Sequence, residues 1–314
     1  MKKIALLSVV LSVLLFPSIC SAAKFVNIGT GSTGGTYYPL GAAISKIWND
    51  NIPGLRANAQ STGGTINNIQ LIGMEEAEAG LMDGMYFDAY NGQGNFQGRP
   101  QKFLRALAPL YPDAVHILVA EGSGIKTLQD MAGKKVSIGA VGASIPVVSA
   151  KLFQAVGMNV LKDVRPEYLG HGETVAAFAD KRISAAVAMG SVGISSVVEA
   201  TTLGTAHLIG LPPEVVEKIC AASADFTPFT LPAGTYRGQD EDLLLLSNMN
   251  ILAVHQDLDE ELVYNMTRLI FEHKADLVAV AATMRSLDAA NVKAVKIPLH
   301  PGAARYYREL GLID

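Results

Sequence analysis

One pentapeptide, Ser-Thr-Gly-Gly-Thr, occurs twice in this chain, at residues 32–36 and 61–65. Each copy follows an apolar run of strand length and precedes a helical pattern. Glycine lets the backbone approach a ligand closely, and a helix start offers unpaired N–H donors at its positive end. Two such turns at the carboxyl edge of adjacent parallel strands would converge on one anion. Both copies could instead be well-capped turns without a ligand, but the repetition favours binding.

Further binding residues are predicted around these turns. Gly142-Ala143-Ser144 opens another helix, and the run Ile183 to Met189 ends at a glycine turn that begins with Gly190. Tyr37 and Tyr86 follow strands and could pack on the carbon skeleton of a ligand, although tyrosines near clefts are more often packing residues. The predicted ligand-binding residues are Gly31, Ser32, Thr33, Tyr37, Ser61, Thr62, Gly63, Tyr86, Gly142, Ala143, Ser144 and Gly190.

Other chemistries find little support in the sequence. Gly29, Gly31 and Gly34 match the dinucleotide pattern G-x-G-x-x-G, but the next strand ends in Gln60-Ser61 instead of the acidic residue that would hold a ribose. No Gly-Lys-Ser/Thr follows for a phosphate loop, and no G-x-S-x-G elbow is present. The six histidines are scattered without paired metal spacing. We therefore predict no catalytic residues, no metal and no cofactor.

The elements that position these turns alternate along the chain. Strand-length apolar runs, such as Phe25 to Ile28 and Leu55 to Gln60, are followed by glycine turns and helical patterns. This alternation predicts an α/β fold with largely parallel sheets flanked by helices. No linker divides the chain, so two lobes joined by crossing strands near residues 113–116 and 208–212 are expected.

The predicted division assigns residues 24–114 and 212–314 to lobe I and residues 115–211 to lobe II.

Composition and the first residues indicate the compartment. The chain has 314 residues, 49% hydrophobic and 17% charged, with a net charge of −4, which gives no general attraction to nucleic acid. Residues 1–23 carry two lysines, a short apolar segment and Ser21-Ala22-Ala23, the pattern of a cleaved secretory signal peptide. Its removal leaves Cys220 as a lone cysteine in an apolar helical pattern, which we expect to be buried and inert. The predicted location is the periplasm.

The sequence resembles the TAXI family, the solute receptors of certain tripartite ATP-independent periplasmic (TRAP) transporters. The likeness lies in GTGSTGGTYYPLG (29–41), QSTGGTINNIQLI (60–72), YNG (90–92), LPAGTYRGQDEDL (231–243) and HPGAARYYRELGL (300–312). The resemblance implies a two-lobe periplasmic binding protein fold, type II-like. It also implies capture of a small carboxylate, such as glutamate, glutamine or 2-oxoglutarate, and its delivery to a TRAP permease in the membrane.

Three stretches depart from the family pattern, at Met82-Asp83-Gly84, at residues 142–146 and at Ile183-Ser184-Ala185. They lie where ligand specificity could be set. We therefore predict a solute receptor without enzymatic activity whose exact ligand is open. The alternatives are a ligand-sensing receptor for a signalling partner and an exported enzyme on the same scaffold.

Overall fold

The computed structural model describes residues 24–314, so the predicted signal peptide at residues 1–23 lies outside the described residues. The described chain forms a ten-stranded mixed sheet with helices packed around it. The strands are β1 (Lys24–Gly29), β2 (Leu55–Gln60), β3 (Ala79–Met82), β4 (Leu104–Ala120), β5 (Lys135–Ser137), β6 (Arg165–Glu167), β7 (Ala185–Gly190), β8 (Ala206–Ile209), β9 (Thr227–Leu231) and β10 (Leu243–His255).

Helices follow most of these strands, as the alternating pattern predicts. They are α1 (Tyr37–Asn51), α2 (Thr65–Gly73), α3 (Met85–Asn91), α4 (Ile145–Ala155), α5 (His171–Ala179), α6 (Ser195–Thr202), α7 (Pro213–Ala222), α8 (Glu260–Glu272), α9 (Lys274–Val280) and α10 (Pro301–Glu309). Four short 3₁₀ turns lie at Gly94–Phe96, Gln129–Met131, Ala282–Ser286 and Ala289–Ala294. No helix in the described part of the chain has the length and apolar character needed to span a membrane.

The sheet order is β2-β1-β3-β10-β4-β7-β5-β6, with β8 beside β4 and β9 beside β10. Pairing is parallel at the two ends of this path, where β1 contacts β2 and β3, and β5 contacts β6 and β7. The long strands β4 and β10 pair antiparallel with each other and with their other neighbours. The predicted α/β fold is confirmed, while the middle of the sheet is antiparallel instead of largely parallel.

Strands β4 and β10 connect the two ends of the sheet. The first part of β4 pairs with β10, and its second part pairs with β7 and β8. Residues 247–255 of β10 pair with β4, and residues 243–247 pair with β9. The segment 208–212, where a second crossing was predicted, includes the end of β8. The lobe boundaries stay a prediction, and β10 is the stronger candidate for the second crossing strand.

The helices are held on the sheet by apolar faces that the sequence already shows. In α1, Leu40, Ile44 and Trp48 are fully buried. The Trp48 indole Nε1 also donates a hydrogen bond to the carbonyl of Met266 in α8, at 3.1 Å. Burial of such side chains is the main source of stability for these elements.

Cys220 differs from its prediction in one respect. It is partly exposed on α7 instead of buried. Partial burial of the thiol still raises its pKa, which disfavours the reactive thiolate.

Candidate functional site

A cavity lies where the glycine turns of the two predicted lobes face each other. One side is lined by residues 31, 32, 35–37, 63–65, 83, 111 and 113, and the other by residues 139, 140, 143–145, 169–171, 174 and 187–190. About 650 Å³ of space lies between their atoms, part of it open to solvent. Its apolar wall includes Ile145, Leu169 and Val187. A space of this kind, with a few polar groups in an apolar wall, is typical of small-molecule sites.

Four helices begin at this cavity, namely α1, α2, α4 and α5. Residues at or beside their first turns, including Thr36, Thr65, Ser144 and His171, line the cavity. Within residues 24–314 no side chain caps the N terminus of α1, α2 or α4. The positive ends of these helices therefore favour a negatively charged group in the cavity.

Seven of the twelve residues predicted from the sequence line the cavity. They are Gly31, Ser32, Tyr37, Gly63, Ala143, Ser144 and Gly190. The other five, which are Thr33, Ser61, Thr62, Tyr86 and Gly142, do not line it.

The five residues outside the cavity have other surroundings. Thr33 is exposed, and Tyr86 is buried in an apolar cluster with Met82 and Met85. Burial raises the pKa of Tyr86 to about 12. The hydroxyl of Ser61 donates to the carbonyl of Gly31 at 3.0 Å.

The Thr62 hydroxyl is also committed within its own turn. It contacts the carbonyl of Thr30 at 3.0 Å and Oδ1 of Asn68 at 2.7 Å, and it accepts from the Gly64 N–H at 3.1 Å. Ser61 and Thr62 thus join the second copy of the pentapeptide to Thr30 and Gly31, the two residues that precede the first copy. The hydroxyls of Ser61 and Thr62 therefore shape the turn, while Thr65 of the same copy lines the cavity.

The turns from the two predicted lobes are in direct contact. Thr36 Oγ1 and Ser191 Oγ lie 2.9 Å apart, and Ser195 Oγ donates to the carbonyl of Gly34 at 3.0 Å. The Asn67 N–H donates to the carbonyl of Gly142 at 3.0 Å. These bonds describe a closed cleft.

Gly142 and Gly63 lie in this contact. Gly142 has a φ of +85°, which favours glycine, and it lies beside Gly63 instead of lining the cavity. A Cβ on Gly63 would overlap the carbonyl oxygen of Val141. The close approach of the two turns therefore depends on glycine at position 63.

Two buried carboxyl groups at the cavity were not predicted as ligand-binding residues. Asp83 follows β3 and Asp113 lies within β4, and each is only 4% exposed. Asp83 accepts hydrogen bonds from the Ser144 hydroxyl and from the Met85 N–H, the latter at 3.1 Å. Asp113 Oδ1 has no hydrogen-bond partner among the described residues.

Burial is the main cause of the raised pKa of both carboxyl groups. It raises the pKa of Asp113 well above its ordinary value, and the charge of Asp83 adds to that shift. It also raises the pKa of Asp83, against the hydrogen bonds that stabilise the charged form. The sequence signal for Asp113 was a lone acidic residue, after Pro112, inside an apolar strand.

Two tyrosines and an asparagine surround Asp113. The Tyr37 hydroxyl donates to Oδ1 of Asn250, and Asn250 Nδ2 donates to the carbonyl of Tyr111 at 3.1 Å. The Tyr111 hydroxyl is buried at the cavity without a hydrogen-bond partner among residues 24–314. Burial raises the pKa of both tyrosines well above 10, so both stay neutral at physiological pH.

The histidine at the cavity is neutral near pH 7. Burial lowers the pKa of His171 to about 4. Its Nδ1 lies 3.3 Å from the Ser196 hydroxyl. His116 lies behind this wall, where burial likewise lowers its pKa to about 4, and its Nε2 lies 2.9 Å from the Tyr236 hydroxyl.

Several solved structures align with this chain at low sequence identity. A protein of Bordetella bronchiseptica RB50 aligns with a TM-score of 0.53 at 18% identity, over 92% of this chain and 81% of that one. A Listeria monocytogenes protein described as an L-cystine ABC transporter aligns with a TM-score of 0.53 at 12% identity, over 83% of this chain and 95% of that one. The periplasmic aliphatic sulphonate binding protein SsuA of Escherichia coli gives a TM-score of 0.46 at 15% identity, over 91% and 78% of the two chains.

At these identities the similarity concerns the fold, which is that of the two-lobe periplasmic binding proteins. The sequence gives a family assignment as well, since residues 28–311 match the NMT1-like family. This match covers most of the chain, which therefore belongs to the NMT1-like family.

Proposed function

We propose that this chain is a periplasmic solute receptor of the TAXI type, which captures a small carboxylate and delivers it to a TRAP permease. The periplasmic-binding-protein-like fold supports the receptor class. The TRAP partner and the choice among glutamate, glutamine, 2-oxoglutarate and related compounds are inferred from the sequence motifs. Export by the leader at residues 1–23 belongs to the same proposal.

The observation that carries the proposal is the cavity at which four helices begin. The N termini of α1 and α4 carry no side-chain cap among the described residues and present a positive end to this cavity. A small carboxylate can accept hydrogen bonds from backbone N–H groups in such a place. The apolar wall that includes Leu169 and Val187 would then pack on its carbon skeleton.

Binding is expected to close the cleft between the predicted lobes by a hinge motion in the long strands. The contacts of Thr36 with Ser191 and of Asn67 with Gly142 describe the closed state. We expect binding without turnover, because the cavity is built around glycine turns, and the Ser196 hydroxyl that contacts the His171 imidazole does not itself line the cavity.

Mass spectrometry of the ligand that co-purifies with the protein tests this proposal. Residues 1–314, expressed with the predicted leader in a bacterial host, should yield protein that carries a small carboxylate or amino acid. The identified compound should raise the melting temperature of the stripped protein. Failure of every carboxylate and amino acid to raise the melting temperature would contradict the proposed solute class.

The permease partner needs its own test. Reconstitution of the receptor with the permease encoded beside its gene should give solute uptake that depends on an ion gradient. A neighbouring gene for a sensor kinase, and no uptake with any permease, would favour the signalling receptor instead.

A further inference from the structure

The cavity contains two acidic side chains and no basic ones. Asp83 and Asp113 line it, and none of the described lining residues is a lysine or an arginine. Each carboxyl group is only 4% exposed. Burial of a carboxylate without a counter-charge is costly, so a ligand that supplies one would gain binding energy here.

Asp113 has the larger unused capacity for hydrogen bonds. Its Oδ1 accepts no hydrogen bond from residues 24–314. The side-chain amide of the neighbouring Asn250 donates to the carbonyl of Tyr111 and accepts from Tyr37, and its interaction with Asp113 lowers the pKa of that carboxyl group against the larger effect of burial. The buried Tyr111 hydroxyl is also without a partner among the described residues. Asp113 and Tyr111 both line the cavity, so a polar group of a ligand could form hydrogen bonds with them.

Asp83 lies opposite a helix start. It accepts from the hydroxyl of Ser144, which immediately precedes α4, and from the N–H of Met85. The same cavity therefore combines positive helix ends with buried carboxyl groups. A cavity with positive helix ends and buried carboxyl groups suits a molecule that carries one negative and one positive charge.

We propose that the solute carries a positively charged amino group, which donates hydrogen bonds to Asp113 and Asp83 while its carboxylate lies against the helix N termini. This inference rests on the proposed receptor function and narrows its solute class to α-amino acids. A 2-oxo acid or a dicarboxylate on the same carbon skeleton presents oxygen lone pairs to the buried carboxyl groups in place of N–H donors. The site should therefore discriminate against it.

The pH dependence of solute affinity distinguishes an ammonium group bound by charged carboxylates from an anion bound by neutral carboxyl groups. Neutral carboxyl groups could donate hydrogen bonds to a ligand anion, and binding would then tighten as the pH falls. An ammonium ligand needs charged carboxylates, so binding should tighten as the pH rises and should release protons. The other titratable groups that line the cavity with Asp113 are Asp83, Tyr37, Tyr111 and His171. The tyrosines and His171 stay neutral near pH 7, and the pKa of Asp83 is raised together with that of Asp113.

Isothermal titration with matched ligand pairs tests the proposal. The pairs are L-glutamate with 2-oxoglutarate, L-alanine with pyruvate and L-leucine with 4-methyl-2-oxopentanoate, with L-glutamine and putrescine as further probes. For the pair that binds, the amino acid should bind about 10- to 100-fold more tightly than the oxo acid. Titrations in buffers of different ionisation enthalpy should show proton release.

Asp113→Asn should remove this preference, because it deletes the charge at nearly constant volume. Asp240→Asn, at an exposed position that does not line the cavity, makes the same change in net charge and should leave the preference intact. Asp83→Asn provides a second test if Asp113→Asn fails to fold.

The outcomes distinguish this inference from the receptor proposal. Equal or tighter binding of the oxo acid, or proton uptake on binding, would overturn the amino-group inference and leave a carboxylate receptor. Binding of putrescine without any carboxylate would support the amino-group site and overturn the carboxylate class. No binding by any probe would overturn both.

Discussion

Replacement of Gly63 by alanine should block closure of the cleft without unfolding the protein. Gly63 lies in the second copy of the pentapeptide and faces the Val141–Gly142 turn across the cleft. Its φ is outside the left-handed region, so the backbone of this turn accepts an alanine. The added methyl would overlap the carbonyl oxygen of Val141 and lie 3.3 Å from Gly142 Cα.

The size of the effect follows from this overlap. Carbon atoms prefer separations of about 3.5–4.0 Å, so the two turns would have to separate by roughly 1 Å. Overpacking of this kind costs about 1–3 kcal/mol. The cost arises only in the closed state, so solute affinity should fall by about 5- to 150-fold while the melting temperature of the unliganded protein stays close to that of the wild type.

Calorimetry with the tightest-binding probe would measure the affinity, and small-angle scattering would measure compaction on ligand addition. Gly172→Ala is the matched control, because a Cβ at this position in α5 meets no atom within 4 Å. It should keep the affinity and raise stability by about 0.5–1 kcal/mol through helix propensity. Wild-type affinity and compaction in Gly63→Ala would refute the closed contact between these turns.

Three further changes should have distinct effects. Tyr236→Phe removes the hydroxyl that accepts from the Gly193 N–H at 2.7 Å, and urea denaturation should show a loss of about 1–3 kcal/mol. Burial raises the pKa of Asp113, so folded wild type retains a proton that the unfolded chain loses above about pH 4, and its stability falls as the pH rises. The stability advantage of Asp113→Asn over wild type should therefore grow with pH in chemical denaturation, and a constant difference would contradict this reasoning. Gly302→Ala would drive a methyl into the backbone of α8 at Glu260 and should lower the melting temperature, as calorimetry would show.

Individual helices and strands were predictable where their apolar residues recur at a regular spacing. The apolar positions Leu40, Ile44 and Trp48 identify α1, and the strand predicted at Leu55 to Gln60 coincides with β2. Strand β10 was not predicted, because LLLLSNMNILAVH is a nearly continuous apolar run without a clear period. Its antiparallel pairing with β4 depends on residues more than 100 positions away, which no local pattern reports.

The site was predictable to the extent that it consists of turns. Glycine and hydroxyl residues after a strand identify a helix start, so Ser32, Gly63 and Ser144 were predicted from the sequence, and all three line the cavity. Asp83 and Asp113 lie about 30 positions apart and meet only through the order of β3, β10 and β4 in the sheet. A single acidic residue in an apolar strand gives no indication of its partner, so Asp113 was not predicted to bind the ligand, whereas Asp83 was noted as part of a stretch where ligand specificity could be set.

The combination of helix ends and buried acids has a consequence for selectivity that neither has alone. Helix N termini attract anions of any kind, including inorganic phosphate and sulfate. When they are ionised, the buried carboxyl groups Asp83 and Asp113 oppose a second negative charge in the same cavity, where charges interact more strongly than in water. A solute with one carboxylate and one ammonium satisfies both sets of groups, whereas an inorganic dianion satisfies only the first. The buried acids also make the empty cavity unfavourable, so a matching solute should stabilise the closed protein beyond what its contact area alone would give.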